Sequence, residues 1–302
     1  FVTYANIDNV TPTGKLFDNA LPSNPLDAWL LSISQKLIKD VSEALDAYDL
    51  NSAIDPIVKF IDELNNWYIR RGRARFWDEE QDAFDTLWTV LVGVCRVLAP
   101  FAPFVSEYIY VNLTGGESVH LTSFPVSGVV DEKIVEDMRR VQAIVSVGKQ
   151  LREQYGLRNR LPLNLLTVAG VNMPDYADII KDELNVKSVK FDSNIEAVAD
   201  GFVYLITPKI GARLGGALKD IIPSVKRGEY EVKGDKLLAG GHELNADEFE
   251  NRLTIKDGVT GAALPDNTAV VVLDTELNAE LIAEGLANDA LRHIQNTRKT
   301  AG

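Results

Sequence analysis

The feature that most constrains this chain is a change in the spacing of its apolar residues near position 160. Upstream of it, Leu26, Trp29, Leu30, Ile33, Leu37, Val41, Ala44, Leu45 and Tyr48 recur at three- and four-residue steps, the mark of one helical stripe. Ser23-Asn24-Pro25 supplies a side-chain cap and a first-turn proline, so a helix is predicted from 25 to about 48. A second helix, starting after an Asn51-Ser52 cap, carries Ile54, Val58, Ile61, Leu64, Trp67 and Tyr68 toward Arg71, and Gly72 ends it. A third holds Phe84, Leu87, Trp88, Leu91, Val94, Cys95 and Leu98 ahead of Pro100, and a fourth covers about 103–113. Four helices on short loops imply a bundle.

Past the Gly115-Gly116 turn one more helix is predicted over about 131–155, and then the texture changes. Leu163–Ala169, Val186–Phe191, Phe202–Thr207, about Leu253–Lys256 and Thr268–Leu273 are short β-rich runs bounded by Pro, Gly, Asn or Asp. Helical segments fall at Tyr176–Leu184 and Gly211–Ile222, Gly228–Gly241 reads as a hairpin or two, and a last helix spans about Glu276–Thr300. The stripe Leu281, Ile282, Leu286, Leu291 and Ile294 is expected to dock that helix on the second domain. The expected fold is therefore an α-helical bundle (1–128), a linking helix (129–160) and a small α+β domain (161–302). A length of 302 residues suits two cores better than one.

No apolar run is long enough to span a bilayer, so no membrane role is expected. The lone Cys95 permits neither an internal disulfide nor a thiolate cage for zinc, which suits a reducing compartment, the cytoplasm. The sequence opens at Phe1 without a targeting signal and reads as a piece of a longer chain.

A net charge of −13 argues against a polyanionic partner, because counterion release needs clustered cations. Distribution matters more than the sum: residues 1–125 carry −8 and 126–302 carry −5, yet Arg70, Arg71, Arg73 and Arg75 fall in six residues with no acid. Lys149, Arg152, Arg158 and Arg160 form a looser group interrupted only by Glu153, placed to line a groove between bundle and α+β domain. Guanidinium groups fork phosphate oxygens and stack on unpaired bases, and Phe76 and Trp77 add planar faces beside the first cluster. The plain alternatives are that Phe76 and Trp77 pack the loop, that the four arginines pair with Asp78, Glu79, Glu80 and Asp82, and that the second group is a solvated helix face. His120, His242 and His293 lie far apart with no partner at helical spacing, and no glycine-rich phosphate loop is present, so no catalytic residue and no metal site is expected.

The run Asn66-Trp67-Tyr68-Ile69-Arg70-Arg71-Gly72-Arg73-Ala74-Arg75-Phe76-Trp77 closely resembles the second-helix signature of the anticodon-binding bundle in the isoleucyl-tRNA synthetase family. Phe1-Val2-Thr3-Tyr4-Ala5-Asn6 is similar to the family's approach to that bundle, Leu98-Ala99-Pro100-Phe101-Ala102-Pro103-Phe104 with Glu107 to its later helix pair, and Ser118-Val119-His120-Leu121 with Pro125 to the following loop. Arg160-Leu161-Pro162-Leu163 resembles the start of the appended C-terminal domain, and Glu183-Leu184-Asn185-Val186-Lys187 is similarly placed. Glu284-Gly285-Leu286-Ala287 through Arg292, Ile294-Gln295 and Arg298-Lys299 resembles the terminal helix. The similarities run in family order along nearly the whole chain, with departures at Gly72, Ala74, Asn288 and Ala290.

The resemblance implies a C-terminal piece of such an enzyme. The family's "H-I-G-H" and "K-M-S-K-S" motifs are absent from this sequence, as is its editing domain. The resemblance thus implies that ATP and Mg²⁺ serve catalytic chemistry elsewhere in the parent ligase, and that this piece needs no cofactor. Its implied partners are tRNA(Ile) and the N-terminal catalytic and editing domains of the same polypeptide. The competing expectation is a packing module with an acidic surface, its arginines held in ion pairs.

Overall fold

The structure, a computed structural model, describes residues 10–13 and 22–301. The segment Phe1 to Asn6 lies outside the described residues. The chain divides into two compact units, residues 1–140 and 141–302.

The first unit is helical. Helix α1 (Pro25–Asp46) starts where Asn24 Oδ1 accepts the Leu26 N–H at 2.9 Å and Pro25 takes the first turn. Helix α2 (Leu50–Glu63) starts earlier than its sequence suggests: Asp49 is the cap, accepting from the Ser52 N–H at 3.1 Å and the Ser52 hydroxyl at 2.6 Å. The expected stripe is buried only at its end, at Leu64 and Tyr68; over α2 itself the buried face is a different one. Ala53, Ile57 and Phe60 are buried, while Ile54, Val58 and Ile61 are exposed. Both sets satisfy three- and four-residue spacing, so period alone does not choose between them.

A π-helical turn, Leu64–Ile69, continues α2 directly. Its extra residue rotates everything downstream relative to the α2 stripe. After Gly72 comes a short helix that sequence did not announce, α3 (Arg73–Trp77), then α4 (Gln81–Leu98) and α5 (Pro103–Thr114), which ends on left-handed Gly115. Helix α1 packs on α2 and α4, and α4 on α5. The Trp88 indole donates to the Leu113 carbonyl at 2.9 Å and ties the last pair together. Helix α6 (Glu132–Gln154) follows, and the division between the two units falls within it.

The second unit is α+β. Strand β1 (Leu163–Ala169), helix α7 (Ala177–Leu184) and strand β2 (Val186–Asp192) make a crossover, with β1 and β2 parallel from Leu163 opposite Val186 to Ala169 opposite Asp192. Strand β3 (Ala199–Leu205) pairs elsewhere, antiparallel to β7 (Phe249–Ile255). Between them lie α8 (Thr207–Leu214), α9 (Leu218–Lys226) and a meander of β4 (Tyr230–Lys233), β5 (Lys236–Ala239) and β6 (His242–Leu244). These share a core of Ile210, Ile221, Leu237 and Leu244 with Val203 and Phe249. The helix predicted over Gly211–Ile222 is broken at Gly215-Gly216, where two residues without Cβ leave the helix weakest. Strands β8 (Gly261–Ala263) and β9 (Val270–Leu273) complete the first sheet in the order β2-β1-β9-β8.

The terminal helix α10 (Ala279–Thr300) is capped by Asn278, whose side chain accepts the Leu281 N–H at 2.8 Å. The expected docking stripe is a correction. Leu281 is buried and Gly285 sits against Leu161, but Ile282, Leu286, Leu291 and Ile294 are exposed. The contacts of the helix lie in its first half: Gly285 packs on Leu161, Lys187 pairs with Glu284, and Asn288 donates to the Arg160 carbonyl, whereas residues 291–300 are exposed.

Candidate nucleic-acid interface

The segment Asn66–Trp77 brings its four arginines to one turn and then gives them different work. Arg70 and Arg73 are exposed, and their side chains make no hydrogen bond or ion pair with another described residue. Trp77 is 80% exposed, so it does not pack the loop. Phe76 does, edge-on to the rings of Tyr68 and Phe84 at 6.2 and 5.4 Å between centroids. Two free guanidinium groups and an uncovered indole therefore share one short surface element.

Arg75 faces the other way. Its Nη1 and Nη2 donate to the two carboxylate oxygens of Asp27 at 2.8 and 2.7 Å, and its Nε to Glu80 at 2.6 Å. Asp27 is fully buried and also accepts the Tyr68 hydroxyl at 2.7 Å. Burial works against charge on Arg75, but the hydrogen bonds to Asp27 and Glu80 outweigh it and hold its pKa above the ordinary value. Burial, followed by the adjacent Asp27 carboxylate, raises the pKa of Tyr68. Arg71 is half-buried: its guanidinium lies 3.0 Å from the centroid of the Trp67 ring, and Nη1 donates to the carbonyls of Asn66 and Trp67 at 3.1 and 2.9 Å. Arg71 thus satisfies carbonyls of the π turn, and Arg75 bolts the turn to α1. The buried acid was the residue that sequence reasoning missed. Its signal was present, an aspartate inside the apolar run Leu26-Asp27-Ala28-Trp29, but an acid in a first helical turn has an ordinary reading.

The second cationic group lies in the second unit and is likewise divided. Arg152 is not a surface cation: it is 1% exposed and donates to the backbone carbonyls of Arg158, Leu161 and Asn185 at 3.0, 2.9 and 3.0 Å. Burial lowers its pKa to about 10, which still leaves it charged at neutral pH. Arg158 and Arg160 are exposed and share the single carboxylate of Asp289, which leaves one of the two positive charges uncompensated. Lys149 pairs with Glu183 at 2.6 Å. Lys149 and Arg158 line a polar depression of about 560 Å³ together with Gln150, Glu153 and Asn159, while Arg160 is not in its wall. Among the described residues no group of three His, Cys, Asp or Glu side chains is placed to hold a metal ion, and no helix is long and apolar enough to cross a membrane.

Residues 27–167, which contain the helical bundle and its arginine turn, match the family model of the anticodon-binding domain of tRNA ligase. The chain is 41% identical over 285 residues to the isoleucine–tRNA ligase of Corynebacterium efficiens, which covers 92% of the chain and 27% of that protein. It is 39% identical over 284 residues to the isoleucine–tRNA ligase of Nocardia farcinica and 40% over 283 to that of Mycobacterium tuberculosis, with the same coverage. The chain belongs to the isoleucine–tRNA ligase family and spans about a quarter of the length of the relatives it matches.

Proposed function

We propose that this chain grips tRNA(Ile) and positions it for aminoacylation by catalytic and editing domains of the same polypeptide that lie outside this sequence. In that whole protein, isoleucine would be activated with ATP and Mg²⁺ in the cytoplasm, and energy from contacts made here would serve orientation of the acceptor end. One observation carries the reading: Arg70, Arg73 and Trp77 are uncovered on a turn that Arg75 and Asp27 hold from beneath. Lys149, Arg158 and Arg160 are proposed as secondary phosphate contacts. Arg71, Arg75 and Arg152 are assigned to positioning.

The test is a titration of the chain with tRNA(Ile) and with a non-cognate tRNA across salt concentrations. Arg70→Ala/Arg73→Ala is expected to weaken binding about ten-fold or more and to reduce the slope of log K against log salt by roughly 1.4–1.8, since each lost phosphate contact removes about 0.7–0.9. A salt-independent affinity, or a double variant that binds as the parent does, would sink the proposal.

A packing role is favoured for one different surface. On α5, Phe104 is 90% and Tyr108 73% exposed, and no Lys or Arg occurs anywhere in residues 97–132. This segment supplies no cation of its own to neutralise phosphate, and an exposed aromatic pair suits contact with another protein surface. Phe104→Ser/Tyr108→Ser is accordingly expected to leave tRNA affinity within two-fold of the parent, roughly 0.4 kcal/mol. A large loss in that titration would reassign the face to RNA.

A further inference from the structure

In the second unit, strands β3 and β7 form a two-stranded ribbon whose two faces differ. One face carries Ala199, Val203 and Phe249, all buried. The other carries Asp200, Phe202 and Tyr204 opposite Thr254, Arg252 and Glu250. An outward strand face ordinarily alternates to polar residues, yet here two successive outward positions are aromatic, Phe202 at 41% and Tyr204 at 43% exposure. The Arg252 guanidinium lies over the Tyr204 ring, 3.6 Å from its centroid. Two rings two residues apart on one strand stand roughly 6.5–7 Å apart.

We infer that this face is a stacking platform for unpaired RNA bases. The inference rests on the tRNA-binding reading above. Phe202 offers a ring face, and the 40% exposed Arg252 guanidinium covers one face of Tyr204 and offers its own plane in that face's place, a combination suited to splayed bases of single-stranded RNA. The charges of the face cancel: Arg252 pairs with Glu250 at 2.8 Å, and Lys256 with Asp200 at 3.4 Å. Recognition there is by stacking more than by phosphate neutralisation, so the platform contributes affinity with little salt dependence, unlike the Arg70–Arg73 turn.

The experiment uses the whole chain, tRNA(Ile) and an unstructured single-stranded RNA carrying 5-bromouridine. Phe202→Leu and Tyr204→Leu keep apolar cross-strand packing but remove the ring, and each is expected to weaken oligonucleotide binding on the order of ten-fold with the salt slope unchanged. Tyr204→Phe keeps the ring and should bind as the parent does. Irradiation of the unsubstituted chain should crosslink the oligonucleotide to the peptide containing Phe202 and Tyr204, a result that needs no variant to fold. Leucine variants that bind normally, or crosslinks confined to Arg70–Trp77, overturn the platform and leave the tRNA-binding reading standing. A chain that binds no tRNA at all overturns both.

Discussion

Asp27→Ala is expected to destabilise the helical unit by about 3–5 kcal/mol, the cost of removing one partner of a buried charge pair. The carboxylate is fully buried and accepts three hydrogen bonds of 2.7–2.8 Å, two from Arg75 and one from Tyr68. Without it Arg75, only 13% exposed, keeps Glu80 alone, and the Tyr68 hydroxyl is left with the Ala83 carbonyl at 3.5 Å. Against a total folding free energy of about 5–15 kcal/mol this is a large fraction, and thermal melting should fall by roughly 10 °C. A double-mutant cycle with Arg75→Met separates the pair from packing, because the two losses should be far from additive if one interaction is responsible. A single variant that melts with the parent would show that the pair does not fasten the turn.

The same substitution gives opposed signs for binding. Removing the negative charge that Arg75 pairs with would, by Coulomb's law alone, strengthen association with RNA. If the role of the pair is to hold the turn in register, Asp27→Ala weakens tRNA binding even at temperatures where the unit stays folded. The measured direction of the affinity change decides between the two.

Arg152→Met is the second large effect, expected at about 2–4 kcal/mol in the α+β unit, since each buried carbonyl that loses its donor costs about 1–3 kcal/mol and relief of the buried charge offsets part of the sum. Arg152 ties three pieces of chain together: α6, on which it sits, the following loop through the carbonyls of Arg158 and Leu161, and Asn185, the left-handed residue between α7 and β2. Its Nε has no partner, so the guanidinium is already imperfectly compensated. Methionine preserves length and apolar contact while removing all three donors. Amide exchange should accelerate at Leu161 and Leu163 before the sheet as a whole opens, because Leu163 donates to that same Asn185 carbonyl. If melting and exchange were unchanged, the cost of burying the charge would equal the worth of its hydrogen bonds, and the clasp would have no net effect.

Most of the architecture was legible because helices and strands are local. The Asn24 cap and Pro25 set the start of α1, Gly115 closed α5, and β1 falls on Leu163–Ala169 as its residues indicate. The signature around Arg70 to Trp77 was legible too, and its family follows from the relatives. Less legible was the face of α2, where Ile54, Val58 and Ile61 compete with Ala53, Ile57 and Phe60 at equal spacing. Helix α10 misled for a related reason: an amphipathic stripe states that a helix has an apolar face, and says nothing of whether a partner surface extends far enough to cover it.

Sequence by itself determined the kinds of element, their order, and the clustering of arginines on one short turn, because caps, periodicity and charge spacing act over a few residues. Only the tertiary structure decided which of those arginines meet solvent. Arg75 is taken by an aspartate 48 positions away and Arg152 by carbonyls up to 33 away, while Arg70 and Arg73 are left open. A guanidinium goes to whichever acceptors the fold brings within about 3 Å, and in a low-dielectric interior those long-range partners outweigh any preference set by neighbours in the chain.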